Sequence, residues 1–150
     1  MEKPVQQLQS IIESYSDKLN LLHEDEWGYK PNPEKWSRRE VLGHLVDSAQ
    51  TNIRRFIIAQ YEDKPKVVYA QETWVTAANY QNYVTNDLVA LWILINKHIC
   101  MILQNITETI GERLADTGEL HSINWLAADY NRHLLHHLHH LLGLEPVAYP

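Results

Sequence analysis

Four long segments of the chain place apolar residues at three- and four-residue spacings, the period of an amphipathic α-helix. They predict helices over residues 5–22, 37–60, 87–106 and 122–142. Ser37 and Glu40 have the spacing of a capping box at the start of the second helix. Asp87 is the expected N-cap of the third helix, and Gly143 is a suitable residue to end the fourth. Four such helices, with one longer crossover connection, predict an all-α four-helix bundle that occupies residues 1–150 as one domain.

The crossover between the second and third helices is harder to read. Residues 67–83 contain Trp74, Val75 and Tyr80 and fit either a short helix or a packed loop. Gly43, in the second helix, is expected to ease close packing against a neighbour. Five Gly and six Pro are few for a chain with many turns, which disfavours β-sandwiches and barrels.

Charge and cysteine content narrow the class of protein. The net charge of −6 leaves no basic patch for nucleic acid or for an anionic membrane surface. Cys100 is the only cysteine, so no intramolecular disulfide forms, and it is expected to be a small buried side chain. No window approaches eighteen continuous apolar residues. These features predict a soluble cytoplasmic protein with neither nucleic acid nor membrane as a partner.

Histidine is concentrated in the predicted fourth helix. Five of the nine histidines lie between positions 133 and 140. On a helical projection at about 100° per residue, Asp129, His137 and His140 fall within about 40° of His133, and His136 lies about 60° away. The leucines of the segment form an apolar face on the other side, whereas His139 is expected to point to solvent.

Helical histidines four residues apart can bind one metal ion together. Here the candidate pairs are His133 with His137 and His136 with His140, and His44 on the second helix is the candidate third ligand. Taken alone, His44 also fits a core histidine, and the His-rich face also fits a solvated stripe or a subunit contact. Together they favour a metal site, because a half-buried row of imidazoles without partners is costly.

Two carboxylates accompany these histidines. Asp129 precedes His133 by one turn and can orient a ligand by a hydrogen bond or act as a base; it also fits a charge favoured near the start of a helix. Asp47, near His44, allows the same readings. The chain has no pair of Glu-x-x-His motifs, which a di-iron bundle requires, so a mononuclear site is expected.

Two segments resemble those of a known family. Residues 35–48 (KWSRREVLGHLVDS) resemble the second-helix signature of the DinB-like (damage-inducible) superfamily. Residues 130–140 (YNRHLLHHLHH) are similar to the closing helix of that family. The resemblance covers essentially the whole chain and implies the DinB/YfiT-like metalloenzyme fold, commonly a homodimer. It implies His44, His133 and His137 as the ligands of one divalent metal, with His136 and His140 as neighbours that support the ligands or face the substrate. The presence of both His139 and His140 keeps the pair His136 and His140 open as the alternative ligands.

The resemblance also implies a class of activity. Family members include bacillithiol S-transferases and the mycothiol-dependent maleylpyruvate isomerase. The expected function is therefore transfer of a low-molecular-weight thiol to an electrophilic small molecule, with zinc, nickel, iron or copper in the site. The alternatives are a metal-dependent hydrolase, a non-enzymatic metal-binding stress protein, and a histidine interface without metal. A pocket lined by Trp74, Trp92 or Tyr130 favours an enzyme, and a fourth protein ligand favours a structural site.

Overall fold

The computed structural model describes all 150 residues, and four long helices dominate it. In chain order the elements are α1 (Glu2–Asn20), α2 (Glu24–Gly28), α3 (Arg38–Ile58), α4 (Gln71–Ala78), a 3-10 turn (Tyr80–Asn82), α5 (Thr85–Gln104), α6 (Glu108–Gly111), β1 (Leu114–Asp116), β2 (Leu120–Ser122) and α7 (Ile123–Leu142). The long helices α1, α3, α5 and α7 correspond to the four predicted segments. The all-α four-helix bundle is therefore confirmed.

The long helices are connected in an order that periodicity does not reveal. Both α1 and α3 pack against α5 and against α7, so α1 and α3 lie diagonally opposite each other. The chain crosses the bundle from α1 to α3 and again from α5 to α7, whereas the long connection 59–84 joins two neighbouring helices. A cluster of 30 buried apolar residues fills the space between them. This order places α3 directly beside α7, and these two helices carry the candidate ligands.

The helix ends follow the capping signals at two of the three sites named above, Ser37 and Gly143. Ser37 Oγ accepts from the Glu40 N–H at 3.2 Å, and the Glu40 carboxylate accepts from the Ser37 N–H at 2.8 Å. Gly143 ends α7 with a φ of 67°, which glycine adopts without strain. Ser122 caps the start of α7.

The expected N-cap at Asp87 is wrong. Helix α5 already begins at Thr85, and the Leu88 N–H donates to the Val84 carbonyl at 3.0 Å. The Thr85 hydroxyl donates to the Glu24 carboxylate, a tertiary contact that holds this turn against α2. Asp87 therefore lies inside the first turn, where its charge is favourable to the helix dipole.

The crossover forms helix α4 and the 3-10 turn, so the helical alternative for residues 67–83 is confirmed. Val75 and Tyr80 are buried. The Tyr80 ring lies against Gly43, where an added Cβ would be 2.2 Å from two ring carbons. The expectation that Gly43 permits close packing is confirmed.

A small hairpin was not expected from the sequence. Strands β1 and β2 pair antiparallel, and Gly118, with a φ of 107°, lies in the turn between them. The Val67 N–H donates to the Asp116 carbonyl, and the Asp116 N–H donates to the Pro65 carbonyl, both at 2.9 Å. The hairpin thus holds the start of the crossover in place.

Helix α5 is long and apolar enough, by length and composition alone, to cross a membrane. Leu88, Trp92 and Ile99 on its inner face are fully buried in the bundle core. A core helix meets the same criterion, so this helix is weak evidence for a membrane span. Cys100, also on α5, is buried and free, as expected.

Candidate metal centre

Three histidines from two neighbouring helices converge at one point in the bundle. His44 on α3 and His133 and His137 on α7 each offer a ring nitrogen, and these atoms all lie within 4.8 Å of one another. The Nε2 atoms of His44 and His133 are 3.1 Å apart. The ring centroids of the three residues are separated by 4.6–5.1 Å. The structure therefore brings together the three residues that the family resemblance implied.

The position of each histidine follows from the helix that carries it. His133 and His137 are one turn apart on α7, and their neighbours Leu134, Leu138 and Leu141 are buried in the core as predicted. His44 is itself buried, and its ring packs against Trp36 with centroids 5.0 Å apart. The apolar faces thus fix α3 against α7 and direct the three imidazoles toward each other.

Burial keeps these imidazoles neutral. Desolvation lowers the pKa of His44 to about 4 and that of His137 to about 4, with the neighbouring histidines adding to the shift at His137. The pKa of His133 is lowered further by the same causes. At neutral pH each ring therefore has an unprotonated nitrogen, the form that binds metal ions.

The donor set fits a divalent transition metal. Ligands about 2.0–2.1 Å from a tetrahedral ion lie roughly 3.3 Å from one another, close to the 3.1 Å between the Nε2 atoms of His44 and His133. Nε2 is the nitrogen of the His44 ring that faces His133, and His44 Nδ1 is buried without a hydrogen-bond partner. Imidazoles suit zinc, nickel, iron and copper. The group contains three residues and no fourth protein ligand, so a bound ion would keep a position for substrate.

The other histidines of the stripe lie outside this group. His136 and His140 line a neighbouring cleft, and His136 donates through Nδ1 to the Val147 carbonyl at 2.7 Å. The expectation that His139 points to solvent is wrong. Its Nε2 accepts from the Tyr15 hydroxyl at 2.5 Å and its Nδ1 donates to the Glu145 carbonyl, because α1 and the C-terminal segment cover that flank.

Neither candidate carboxylate contacts the three histidines by a hydrogen bond. Asp47 is buried and accepts from the Tyr80 hydroxyl at 2.6 Å, and its other oxygen has no partner. Asp129 accepts from Arg132 at 3.0 Å and from the Tyr149 hydroxyl at 2.8 Å. Asp129 lines a small cavity together with His133, and the role of either carboxylate as a base stays a prediction.

Two cavities border the group, each lined in part by one of its histidines. His133 lines a polar cavity of about 190 Å³, and His137 lines a cleft of about 580 Å³. Tyr130 lines the smaller cavity as expected, whereas Trp74 and Trp92 line neither of them. Residues that sequence reasoning did not single out complete the walls: Trp36 in the cleft, and Arg55, Tyr69 and Tyr149 in the cavity.

Acidification is expected to destabilise the metal-free protein between pH 6.5 and about 4. The pKa values of His44 and His137 are about 4 in the folded chain and near 6.5 in the unfolded chain, so the unfolded state binds more protons in this range. The stabilisation is complete above pH 6.5 and is lost as the pH falls toward 4. Thermal unfolding of chelator-treated protein at several pH values measures it. His44→Gln should show a smaller decrease in Tm on acidification, and an unchanged decrease would contradict this assignment.

Comparison with known proteins agrees with this architecture. The family model of the DinB superfamily matches residues 7–141. A protein of Oceanobacillus iheyensis, whose name assigns it provisionally to the metal-dependent hydrolases, is 28% identical over 113 residues, 73% of this chain and 64% of that protein. The match thus spans less than two thirds of the curated relative.

Two solved structures share the fold at low sequence identity. YfiT of Bacillus subtilis, described as a probable metal-dependent hydrolase with an unusual four-helix bundle topology, aligns with a TM-score of 0.85 at 18% identity, covering 96% of this chain and 88% of YfiT. The mycothiol-dependent maleylpyruvate isomerase aligns with a TM-score of 0.77 at 16% identity, covering 98% of this chain and 61% of the isomerase. With the family model matched over most of its length, this chain belongs to the DinB superfamily.

Proposed function

We propose that this protein is a metal-dependent enzyme that transfers a low-molecular-weight thiol to an electrophilic small molecule. His44, His133 and His137 would hold one divalent transition metal. The observation that carries the proposal is that the three-histidine group borders two cavities, one lined in part by His133 and the other lined in part by His137. A reaction with two substrates needs room for both beside the reacting centre, and two cavities that share the group as a border supply it.

The chemistry of the site suits a thiol. A divalent metal lowers the pKa of a thiol or water that it binds and so supplies a nucleophile at neutral pH. The three imidazoles are neutral, so they hold the ion without cancelling its charge. No carboxylate hydrogen-bonds to them, and Asp129, a candidate general base in the cavity lined by His133, already accepts from Arg132 and from the Tyr149 hydroxyl. A thiol, which is far more acidic than water, depends less on such a base.

Metal-dependent hydrolysis is the second candidate. The names of the Oceanobacillus relative and of YfiT favour it. Both candidates need a position for substrate at the ion, and the group of three ligands beside open cavities supports an enzyme over a closed structural or storage site. Entry of a thiol into the metal site is required for thiol transfer and not for hydrolysis, so a site that excludes thiols rules out the first reaction.

A cobalt-substituted protein tests the thiol proposal. Adding mercaptoethanol to the cobalt(II) form should produce a saturable sulfur-to-cobalt charge-transfer band in the near ultraviolet, and ethylene glycol should not. Cys100→Ser should give the same band, because the Cys100 thiol is buried away from the site. If cobalt binds and no thiol produces the band, thiol transfer is excluded and hydrolysis becomes the better proposal.

Assembly and location remain proposals. We propose a homodimer, supported by exposed apolar side chains on α5 that include Leu91, Leu94 and Met101. Sedimentation equilibrium should give twice the 17.6 kDa chain mass, and the mass of one chain would contradict it.

A cytoplasmic location is supported by the free thiol of Cys100, and cell fractionation measures it.

A further inference from the structure

Arg55 occupies an unusual position beside the candidate metal centre. It lies on α3 three helical turns after His44 and lines the same small cavity as His133. Its Nε and Nη2 donate to the Val67 carbonyl at 3.1 and 2.9 Å, and its Nη1 donates to Asn52 Oδ1 at 3.3 Å. A guanidinium has five N–H donors, so two remain available to the cavity.

Arg55 forms no close ion pair within the protein. The side chain is half-buried, although arginine is rarely buried unless it is paired. Asp129 also lines the cavity and its negative charge acts on Arg55, but its carboxylate oxygens accept hydrogen bonds from Arg132 and the Tyr149 hydroxyl rather than from Arg55. The cavity beside His133 therefore presents a cation with free donors.

We propose that this cavity binds a carboxylate group of the substrate, with Arg55 as the residue that selects it. This inference rests on the proposed function, since the carboxylate would place the rest of the substrate next to His133. The planar fork of an arginine matches the two oxygens of a carboxylate. Ser48, whose Oγ is 3.5 Å from His133 Nδ1, and Tyr69 add hydroxyl groups to the cavity wall.

The size of the cavity limits the group that it can hold. Its volume of about 190 Å³ equals that of roughly six water molecules, at about 30 Å³ each in the liquid. This is smaller than the cavities that enclose whole drug-sized ligands. It fits the carboxylate end of a short aliphatic acid, with the remainder of the molecule extending toward the histidines.

A purely structural role for Arg55 is the alternative, because it holds the crossover through Val67. Arg113 supplies a matched control, since it also donates to backbone carbonyls, those of Ala59 and Glu62, and lines neither cavity beside the histidines. A structural role predicts similar consequences for Arg55→Gln and Arg113→Gln. Carboxylate recognition predicts an effect for Arg55→Gln alone.

Calorimetric titration of the zinc-loaded protein with acetate, mercaptoacetate and mercaptoethanol tests the proposal. Arg55→Gln should weaken the binding of a carboxylate probe by about tenfold or more and should leave the affinity for mercaptoethanol unchanged. Arg113→Gln should change neither of these affinities. Arg55→Lys, which keeps the charge without the fork, should give a smaller loss. If Arg55→Gln loses affinity only for mercaptoacetate, the carboxylate belongs to the thiol substrate. If acetate and mercaptoethanol bind at the same time, the carboxylate belongs to the electrophilic substrate.

Equal binding of both carboxylate probes by wild type and Arg55→Gln would overturn the proposal. If Arg55→Gln does not fold, the side-chain Nε–H resonance of Arg55 in the wild type decides instead: acetate should shift it and leave that of Arg113 in place, and an unmoved Arg55 resonance overturns the proposal. Repeating the acetate titration on chelator-treated protein separates this inference from the metal proposal. If the protein binds no metal but binds acetate in a way that depends on Arg55, the carboxylate site is supported and the metal proposal is contradicted.

Discussion

His133→Ala is expected to lower the affinity of the protein for zinc by at least about 100-fold and to abolish the increase in Tm that zinc produces in the wild type. His133 contacts both other histidines of the group. Its Nε2 is 3.1 Å from the Nε2 of His44, and its ring centroid is 4.6 Å from that of His137. Even the loss of a residue that only orients a metal ligand costs about 10–100-fold in affinity, and the loss of a ligand costs more. Competition with a chromogenic chelator measures the affinity, and thermal unfolding measures the stabilisation.

His140→Ala is the matched control for this substitution. His140 is on the same helix and lines the cleft, but it is exposed and outside the three-histidine group. The His140→Ala variant should bind zinc with the affinity of the wild type. If His140→Ala loses zinc while His133→Ala retains it, the metal is held by the alternative pair of His136 and His140.

Gly43→Ala is expected to destabilise the fold by about 1–3 kcal/mol, the usual cost of overpacking a core. The added Cβ would lie 2.2 Å from two carbons of the buried Tyr80 ring, so the ring or helix α3 must move. Such a shift also strains the hydrogen bond from the Tyr80 hydroxyl to Asp47, whose other oxygen is already buried without a partner. Chemical denaturation measures the free energy of unfolding.

The neighbouring Gln50→Ala is the control for the effect of alanine on the same helix. Gln50 is exposed on α3, and its substitution should change the free energy of unfolding by no more than about 0.5 kcal/mol. If Gly43→Ala is as stable as Gln50→Ala, then the contact between Tyr80 and α3 is looser than the structure has it.

Local helical periodicity predicts the bundle and the side of α7 that carries His133 and His137, whereas the choice of these two with His44 as one group is what the family resemblance implies. The leucines of α7 define its buried face, and this face fixes the directions of His133 and His137. Ser37 and Gly143 fix helix ends through hydrogen bonds and φ preferences that act within a few residues. Such features can be read without knowing which helices are neighbours.

Features that depend on tertiary contacts cannot be predicted from local sequence patterns. The diagonal connections from α1 to α3 and from α5 to α7 leave no periodic signal, and neither does the hairpin that holds the crossover. Tyr149 follows the last helix and reaches the cavity through the fold of the C-terminal segment, where its hydroxyl donates to Asp129. Arg55 did carry a signal, because a spacing of eleven residues from His44 is three helical turns and places both on one side of α3.

Elemental analysis of untagged protein, expressed without added metal, tests the central claim most directly. We expect about one divalent transition metal per chain in the wild type and almost none in His44→Ala or His133→Ala, with both variants folded by circular dichroism. A wild-type protein that contains no metal, and gains none when incubated with zinc or nickel, would contradict the account and leave the three histidines without a metal-binding role.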